Sequence, residues 1–385
     1  MALDADTLGQ LLTTLEQFVR ERLMPLEAEV AEQDAIPADV IADMRGMGLF
    51  GMTIPEAYGG LGLNTLEECR AVQVLGYTAP AFRSIIGTNN GIGSQGIVMD
   101  GTAAQKAHYL PRMATGEIIG SFALTEPDAG SDSGAVQTSA RRDGDAFVLN
   151  GTKRYITNAP SAHVFTVFAR TNPAETGSRG VTAFLVDATT PGITLGRPYR
   201  KMGQKGAHVC DVMFDDCRVP ASAILGGLDR LNRGFETAMK TLDRGRLHIS
   251  ALAVGCANRL IDDSVRFAVE RRQFGQPIAQ FQLVQAMLAD SRAEAYAAEC
   301  MVLDAARRRD AGEAVATFAS CAKLFATEMV GRVADRAVQI HGGAGYMDEY
   351  AVSRFYRDVR LFRIYEGTSQ IQQTIIARNM IKAAS

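Results

Sequence analysis

Apolar positions recur at three- and four-residue steps in the first part of the chain. Leu8, Leu11, Leu12, Leu15 and Phe18 form one series, and residues 103–110 begin another. That is the period of a helix with one face turned to a core. Pro37, Pro55 and Gly59-Gly60 divide the region into several helices. From about residue 119 the pattern changes to β-branched and aromatic runs at 146–149, 155–157, 164–169, 181–186 and 209–214. Turn signals separate them: Asn150-Gly151, Asn158-Ala159-Pro160 and Thr190-Pro191-Gly192. Short strands of this kind predict a compact antiparallel β domain, a sandwich or a barrel. After Gly226-Gly227 the helical period returns, with helices predicted over 235–270, 281–309 and 314–340 and a fourth closing the chain. Long helices with short breaks predict a bundle. The expected fold is thus α+β and multidomain: an N-terminal helical domain over 1–118, a middle antiparallel β domain over 119–226, and a C-terminal four-helix bundle over 227–385.

Length and composition narrow this picture. A chain of 385 residues is long for one core, so two or three domains are expected. The formal net charge of −3, without a Lys/Arg run, excludes a basic footprint for nucleic acid and a polybasic membrane surface. No signal peptide, transit peptide or spanning apolar segment is visible, so no membrane insertion and a cytoplasmic location are expected. Six cysteines lack CxxC spacing and five histidines lack HxxxH spacing, which argues against a metal site or disulfide framework. The cysteines read as core fillers in a reducing compartment.

Candidate chemistry centres on Glu366. Between Arg363 and Arg378 it is the only ionisable group apart from Tyr365. An isolated carboxylate among Ile, Tyr, Gly and Thr reads as shielded, and desolvation raises its pKa toward the range useful for taking a proton. The alternative is a Glu at a helix start, with Thr368 or Ser369 as the cap.

Other segments carry weaker signals. The stretch 122–132 packs Thr125, Gly130 and Ser131 around Pro127, leaving backbone N–H groups free for a phosphate or a ring, although a plain turn has the same composition. Gly91 to Gly96 matches GxGxxG formally, but no strand–helix–strand unit surrounds it, so a dinucleotide fold is rejected. Gly342 and Gly343 end the third bundle helix and admit close approach of a ligand, while His341 reads as a packed or capping residue. Asp243 and Arg246 have ion-pair spacing that also suits a ligand's polar edge. The run from Arg271 to Gly275 is either a solvated basic cap or a pyrophosphate contact.

Taken together in order, these segments resemble the acyl-CoA dehydrogenase family of flavoproteins over essentially the whole chain. The resemblance implies FAD between the β domain and the bundle, partly reached by a neighbouring subunit of a homotetramer. It implies that Glu366 is the base removing the substrate α-proton while the β-hydrogen leaves as hydride to flavin N5. The Glu366 N–H and a flavin ribityl hydroxyl would hold the thioester carbonyl. Phe122, Leu124, Thr125, Gly130 and Ser131 would contact flavin, with Ser131 also reaching CoA. Tyr155-Ile156-Thr157 matches the family's Trp-Ile-Thr, with Tyr155 in place of Trp. Arg271, Gln273, Phe274, Phe281, Gln282, Gln339, Gly342 and Gly343 match FAD contacts across the subunit boundary, and Thr368 and Gln370 match the contacts after the base. Asp243 and Arg246 match positions that meet CoA, and Tyr365 and Gly367 flank the base at the acyl end.

Two departures narrow the subclass. Some relatives place the base just before the residue equivalent to Arg246; here that position is Gly245, which leaves Glu366. Arg83-Ser84 coincides with the Arg-Ser of glutaryl-CoA dehydrogenases, where the Arg holds a distal carboxylate. The expected activity is dehydrogenation of an acyl-CoA to the trans-2-enoyl-CoA, with electrons passing to an electron-transfer flavoprotein. A flavin oxidase or a desulfinase-like protein on the same scaffold is the alternative, and a helical assembly protein without cofactor is the non-enzymatic one.

Overall fold

The computed structural model describes residues 3–384. The first region contains α1 (Ala5–Phe18), α2 (Glu27–Gln33), α3 (Ala38–Gly46), α4 (Thr65–Leu75), α5 (Pro80–Thr88), α6 (Gln95–Asp100) and α7 (Ala103–Ala114). Their starts follow local chemistry: Asp4 caps α1, while α4 and α7 open on capping boxes, Asn64 with Glu67 and Thr102 with Gln105. The GxGxxG stretch runs through one helical turn, Asn89–Gly93, into α6, with no strand before it. No dinucleotide fingerprint forms.

The sheet contains β1 (Gly120–Ala123), β2 (Ser139–Asp143), β3 (Ala146–Thr157), β4 (Val164–Arg170), β5 (Val181–Asp187), β6 (Ile193–Leu195) and β7 (Val209–Pro220). The pairs β2–β3, β3–β7, β4–β5 and β6–β7 are antiparallel, whereas β1 and Ser139 of β2 run parallel to β4. The sheet curls around a core that includes Phe147, Phe165, Phe184 and Val212. One turn expectation is corrected. Asn150-Gly151 lies inside β3 as a bulge, so the runs 146–149 and 155–157 form one strand. Gly151 has φ 147°, and a Cβ there would lie 2.6 Å from the Thr138 hydroxyl, so glycine serves a close crossing rather than a turn.

The bundle is built from α8 (Gly234–Glu270), α9 (Gln282–Asp310), α10 (Ala316–His341) and α12 (Ser369–Ala384), with a short hairpin of β8 (Arg272–Gln273) and β9 (Gln276–Pro277) after α8. A further helix, α11 (Ala351–Val359), lies between α10 and α12 and was not expected from the sequence. Alanines dominate where helices meet: Ala251, Ala253, Ala257, Ala298, Ala322 and Ala326 are buried with Leu252, Val330 and Phe355. Helix α4 packs on both α8 and α9, joining the first region to the bundle. Cys69, Cys210, Cys217 and Cys256 are buried as expected, but Cys300 is exposed on α9 and Cys321 only half-buried, because both point off the core face. Among the described residues no helix is long and apolar enough to cross a membrane, and no cluster of His, Cys, Asp or Glu could hold a metal ion.

Candidate active site

Glu366 sits in a tight reversal between α11 and α12. Its backbone is left-handed at φ 56°, and Gly367 follows at φ 87°. A non-glycine residue in that region costs on the order of 1 kcal/mol or more and persists only where neighbours impose it. Two buried side chains do so. Lys323 of α10 donates its Nζ to the carbonyls of Phe362, 2.7 Å, and Gly367, 2.8 Å. Gln372 of α12 donates its Nε2 to the carbonyls of Glu366 and Gly367, both 3.1 Å. Thr368 caps α12 through Ile371 N, 3.3 Å, so the helix start is a hydroxyl's work and Glu366 is left free of it.

The carboxylate lies over α8. A Cβ on Gly245 would stand 2.7 Å from Glu366 Oε2 and 3.0 Å from Cδ, so only glycine fits beneath it. Glu366 is half-buried as a residue, but Oε2 is shut off from solvent with no hydrogen-bond partner among the described residues. Burial pushes its pKa above the ordinary carboxylate value, and Arg83, Arg246 and Lys323 hold that rise back. The result is a carboxylate more basic than usual, with surrounding cations limiting the rise. Its backbone N–H donates to no described residue.

Two cavities meet at this residue and share Ile92, Thr157, Tyr365 and Glu366 in their walls. The larger, of about 540 Å³, runs between the sheet and helices α8 and α12. It gathers Phe122, Leu124, Thr125, Gly130, Ser131, Tyr155, Ile156 and Thr157 with Arg246 and Gly367. The smaller, of about 60 Å³, is lined by Arg83, Ser84, Lys201, Gln204, His248 and Gly245. Arg246 is buried and bonded to Asp243 at 2.5 Å, the ion pair expected from their spacing. Arg83, 6% exposed, makes no hydrogen bond or ion pair among the described residues, and its Nε is buried.

The remaining candidates lie elsewhere. Arg271, Gln273, Phe274, Phe281, Gln282, Gln339, Gly342 and Gly343 line neither cavity, and Phe274 is 93% exposed with its ring edge-on to Phe281 at 6.0 Å. Thr368 and Gln370 border a separate surface depression beside Arg363. A single chain therefore does not bring these residues to Glu366. His341 stacks on Phe267 at 4.3 Å and bonds the Ala337 carbonyl, which makes it a packed residue.

Sequence reasoning missed the supports. Lys153 of β3 is fully buried and pairs with Glu126 at 2.7 Å, while it also bonds the carbonyls of Leu124 and Phe168. Glu126 in turn accepts from Gln137 N and Thr138 N, so this pair rivets the 122–131 loop to the sheet. Glu68 of α4 is bonded by Arg244 and by His248 Nδ1, both 2.8 Å, which anchors α8 beneath the smaller cavity. Lys323 had a readable signal, because it is the only charge between Glu313 and Glu328.

The three parts of the chain match, in order, the N-terminal domain of acyl-CoA dehydrogenase over residues 6–117, its middle domain over 121–217 and its C-terminal domain over 232–381. The chain belongs to the acyl-CoA dehydrogenase family. It is 41% identical to a 3-(aryl)acrylate reductase of Clostridium sporogenes, over 95% of this chain and 96% of that protein. It is 38% identical to a subunit of the caffeyl-CoA reductase–Etf complex of Acetobacterium woodii, over 92% of each. Its fold matches butyryl-CoA dehydrogenase of Megasphaera elsdenii with a TM-score of 0.94 and 33% identity, covering 99% of this chain and all of that one. As a member of this family the protein is an FAD-dependent oxidoreductase acting on the CH–CH bond of an acyl-CoA. The larger cavity suits FAD: its volume is within the range of about 300–1,000 Å³ usual for small-molecule sites. Leu124 and Ile156 offer apolar surface for a ring, and the hydroxyls of Thr125, Ser131 and Thr157 in its wall make no hydrogen bond among the described residues.

Proposed function

We propose that the protein dehydrogenates a short acyl-CoA whose chain ends in a carboxylate, as glutaryl-CoA does, with Glu366 as the base. The observation that carries this reading is Arg83, buried without a partner in the small space that opens at Glu366. A buried guanidinium with no bonded partner favours an anion beside it, and Glu366 is the only acid among the described residues of that wall. About 60 Å³ admits a few water-sized groups and no long alkyl chain.

In this reading the Glu366 N–H binds the thioester carbonyl and stabilises the enolate-like charge, which makes the α-proton acidic enough for a carboxylate. Glu366 takes that proton at Oε2, the atom left without a partner. Bound FAD supplies the acceptor for the β-hydrogen and its electron pair. Thr125, Ser131 and Thr157 hold the cofactor, while Arg246, oriented by Asp243, meets the CoA portion. An electron-transfer flavoprotein is the proposed electron acceptor, in line with the relative named as part of an Etf complex. A homotetramer is proposed because Phe274, Leu283 and Tyr346 are 93%, 82% and 81% exposed, surface that a second copy would cover. The relative named as a reductase favours a second reading, in which protonated Glu366 delivers a proton to the α-carbon of an enoyl thioester.

The test is a panel of glutaryl-, butyryl- and pentanoyl-CoA with a dye acceptor. The holoenzyme should prefer glutaryl-CoA in kcat/KM by about tenfold or more, as expected for a charge-assisted contact, and Arg83→Met should erase that preference. A wild-type preference for pentanoyl-CoA sinks the acidic-tail reading. Turnover confined to enoyl thioesters with a reduced dye selects the reductase.

A further inference from the structure

Arg83 is not the only donor left open in the small cavity. His248 of α8 is buried, and its Nε2 has no partner, although its Nδ1 is held by Glu68. Lys201, on the segment between β6 and β7, also presents a buried Nζ with neither hydrogen bond nor ion pair among the described residues. Buried polar atoms are paired in the great majority of cases, so three orphans in one wall form a pattern rather than scatter. Arg83 Nε and His248 Nε2 converge over Gly87: a Cβ there would lie 2.9 Å from each and 2.7 Å from Arg83 Cδ, so only glycine lets the two groups approach. The Lys201 segment is fixed in place. Gln204 N bonds Asp358 Oδ1, Gly206 N bonds Asp34 Oδ1 at 2.6 Å, and His208 Nε2 meets the Asp34 carbonyl at 2.6 Å.

We infer that Lys201 and His248 complete, with Arg83, a three-donor subsite for the distal anion of the acyl chain, and that His248 enters it as imidazolium by taking one proton from solvent as substrate binds. This rests on the acidic-tail reading above and adds two specificity-determining residues and a proton inventory to it. The reason lies in the imidazole lone pair. With Nδ1–H donated to Glu68, a neutral imidazole turns the Nε2 lone pair toward the cavity, where a carboxylate would be repelled. A proton on Nε2 converts that repulsion into a charge-assisted bond. In the empty cavity burial and Arg83 favour the neutral form, against Glu68. An incoming carboxylate offsets Arg83 and reverses the balance. The charged or titratable groups around this imidazole are Glu68 on α4, Arg83 on α5, Arg244 on α8 itself, and Lys201, Tyr365 and Glu366 across the cavity.

The proton count is measured by calorimetry on Glu366→Gln holoenzyme, which removes the base as a competing proton acceptor and prevents turnover. Binding of glutaryl-CoA, compared in phosphate and Tris buffers, should take up close to one proton, and pentanoyl-CoA none. His248→Gln added to this protein should abolish the uptake. In steady state, Lys201→Met and His248→Gln should each lower the glutaryl-over-pentanoyl preference by about tenfold, and in the wild type KM for glutaryl-CoA should rise with pH through the imidazole range while KM for pentanoyl-CoA does not. Zero proton uptake with glutaryl-CoA overturns the role of His248 even if the variants fold poorly. If Arg83→Met loses the preference while Lys201→Met and His248→Gln keep it, the substrate reading stands and this subsite is wrong. If the wild type shows no preference for the dicarboxylic thioester, both fall.

Discussion

At the scale of single residues, the decisive property of Glu366 is that burial and distant cations act on it in opposite senses. A base works only in its deprotonated form, so kcat/KM should fall as pH drops through its raised pKa. The acid limb of the profile therefore lies above the ordinary carboxylate range. Glu366→Gln should lower kcat by about 10²–10⁴-fold, the usual worth of a positioned acid–base group, and abolish that limb while the flavin absorption band is retained. A profile whose acid limb survives in the variant would assign it to another group. Glu366 was legible as a lone charge in an uncharged stretch, because a charge with no solvated neighbours is generally buried or paired, and Lys323 carried the same signal unread. His248 and Lys201 were not legible, since their meaning depends on two segments that meet only in the folded chain.

At the scale of elements, α8 is anchored through charge. Burial opposes ionisation of Glu68, but Arg244 and the His248 bond outweigh it and bring its pKa from 4.5 down to about 2. The folded value lies below the unfolded one, so the stabilisation is fully present above pH about 4.5 and is lost as pH falls toward about 2. It amounts to on the order of 3 kcal/mol. Acid titration followed by helical circular dichroism should show wild-type stability falling through that window, and Glu68→Gln should flatten this part of the curve. An unchanged slope in Glu68→Gln would move the effect to other carboxylates. Helices α8, α9 and α10 were readable within a residue or two, because their apolar period runs for many turns. The bulge at Gly151 was not: an Asn-Gly pair reads as a turn, and only the proximity of Thr138 explains why it bends a strand instead. Helix α11 escaped notice because its nine residues carry three arginine and aspartate side chains between the apolar ones.

At the scale of the whole molecule, residues matched to FAD fall into two sets that one chain keeps apart. The set around Thr125 and Thr157 lines the cleft, whereas Arg271, Phe274 and Gly342 do not. Phe274→Asp should produce a smaller species in light scattering and accelerate loss of FAD together, because both would depend on the same surface in the proposed tetramer. Loss of FAD with the assembly intact would make Phe274 a local cofactor contact only. The order helix–sheet–bundle was visible in the changing period of the sequence, but the joining of its parts was not. That joining includes Glu68 with Arg244, a pair 176 positions apart that ties the first region to the bundle.

The slot above Gly245 also bears on how the site can change. Helix α8 and the Glu366 reversal face one space large enough for a single carboxylate. Moving the proposed base from one element to the other needs two substitutions, and each single step is expected to impair the site. Removing Glu366 first leaves no base, and adding an acid at 245 first forces two like charges into contact. The position of the carboxylate is thus hard to exchange by single substitutions.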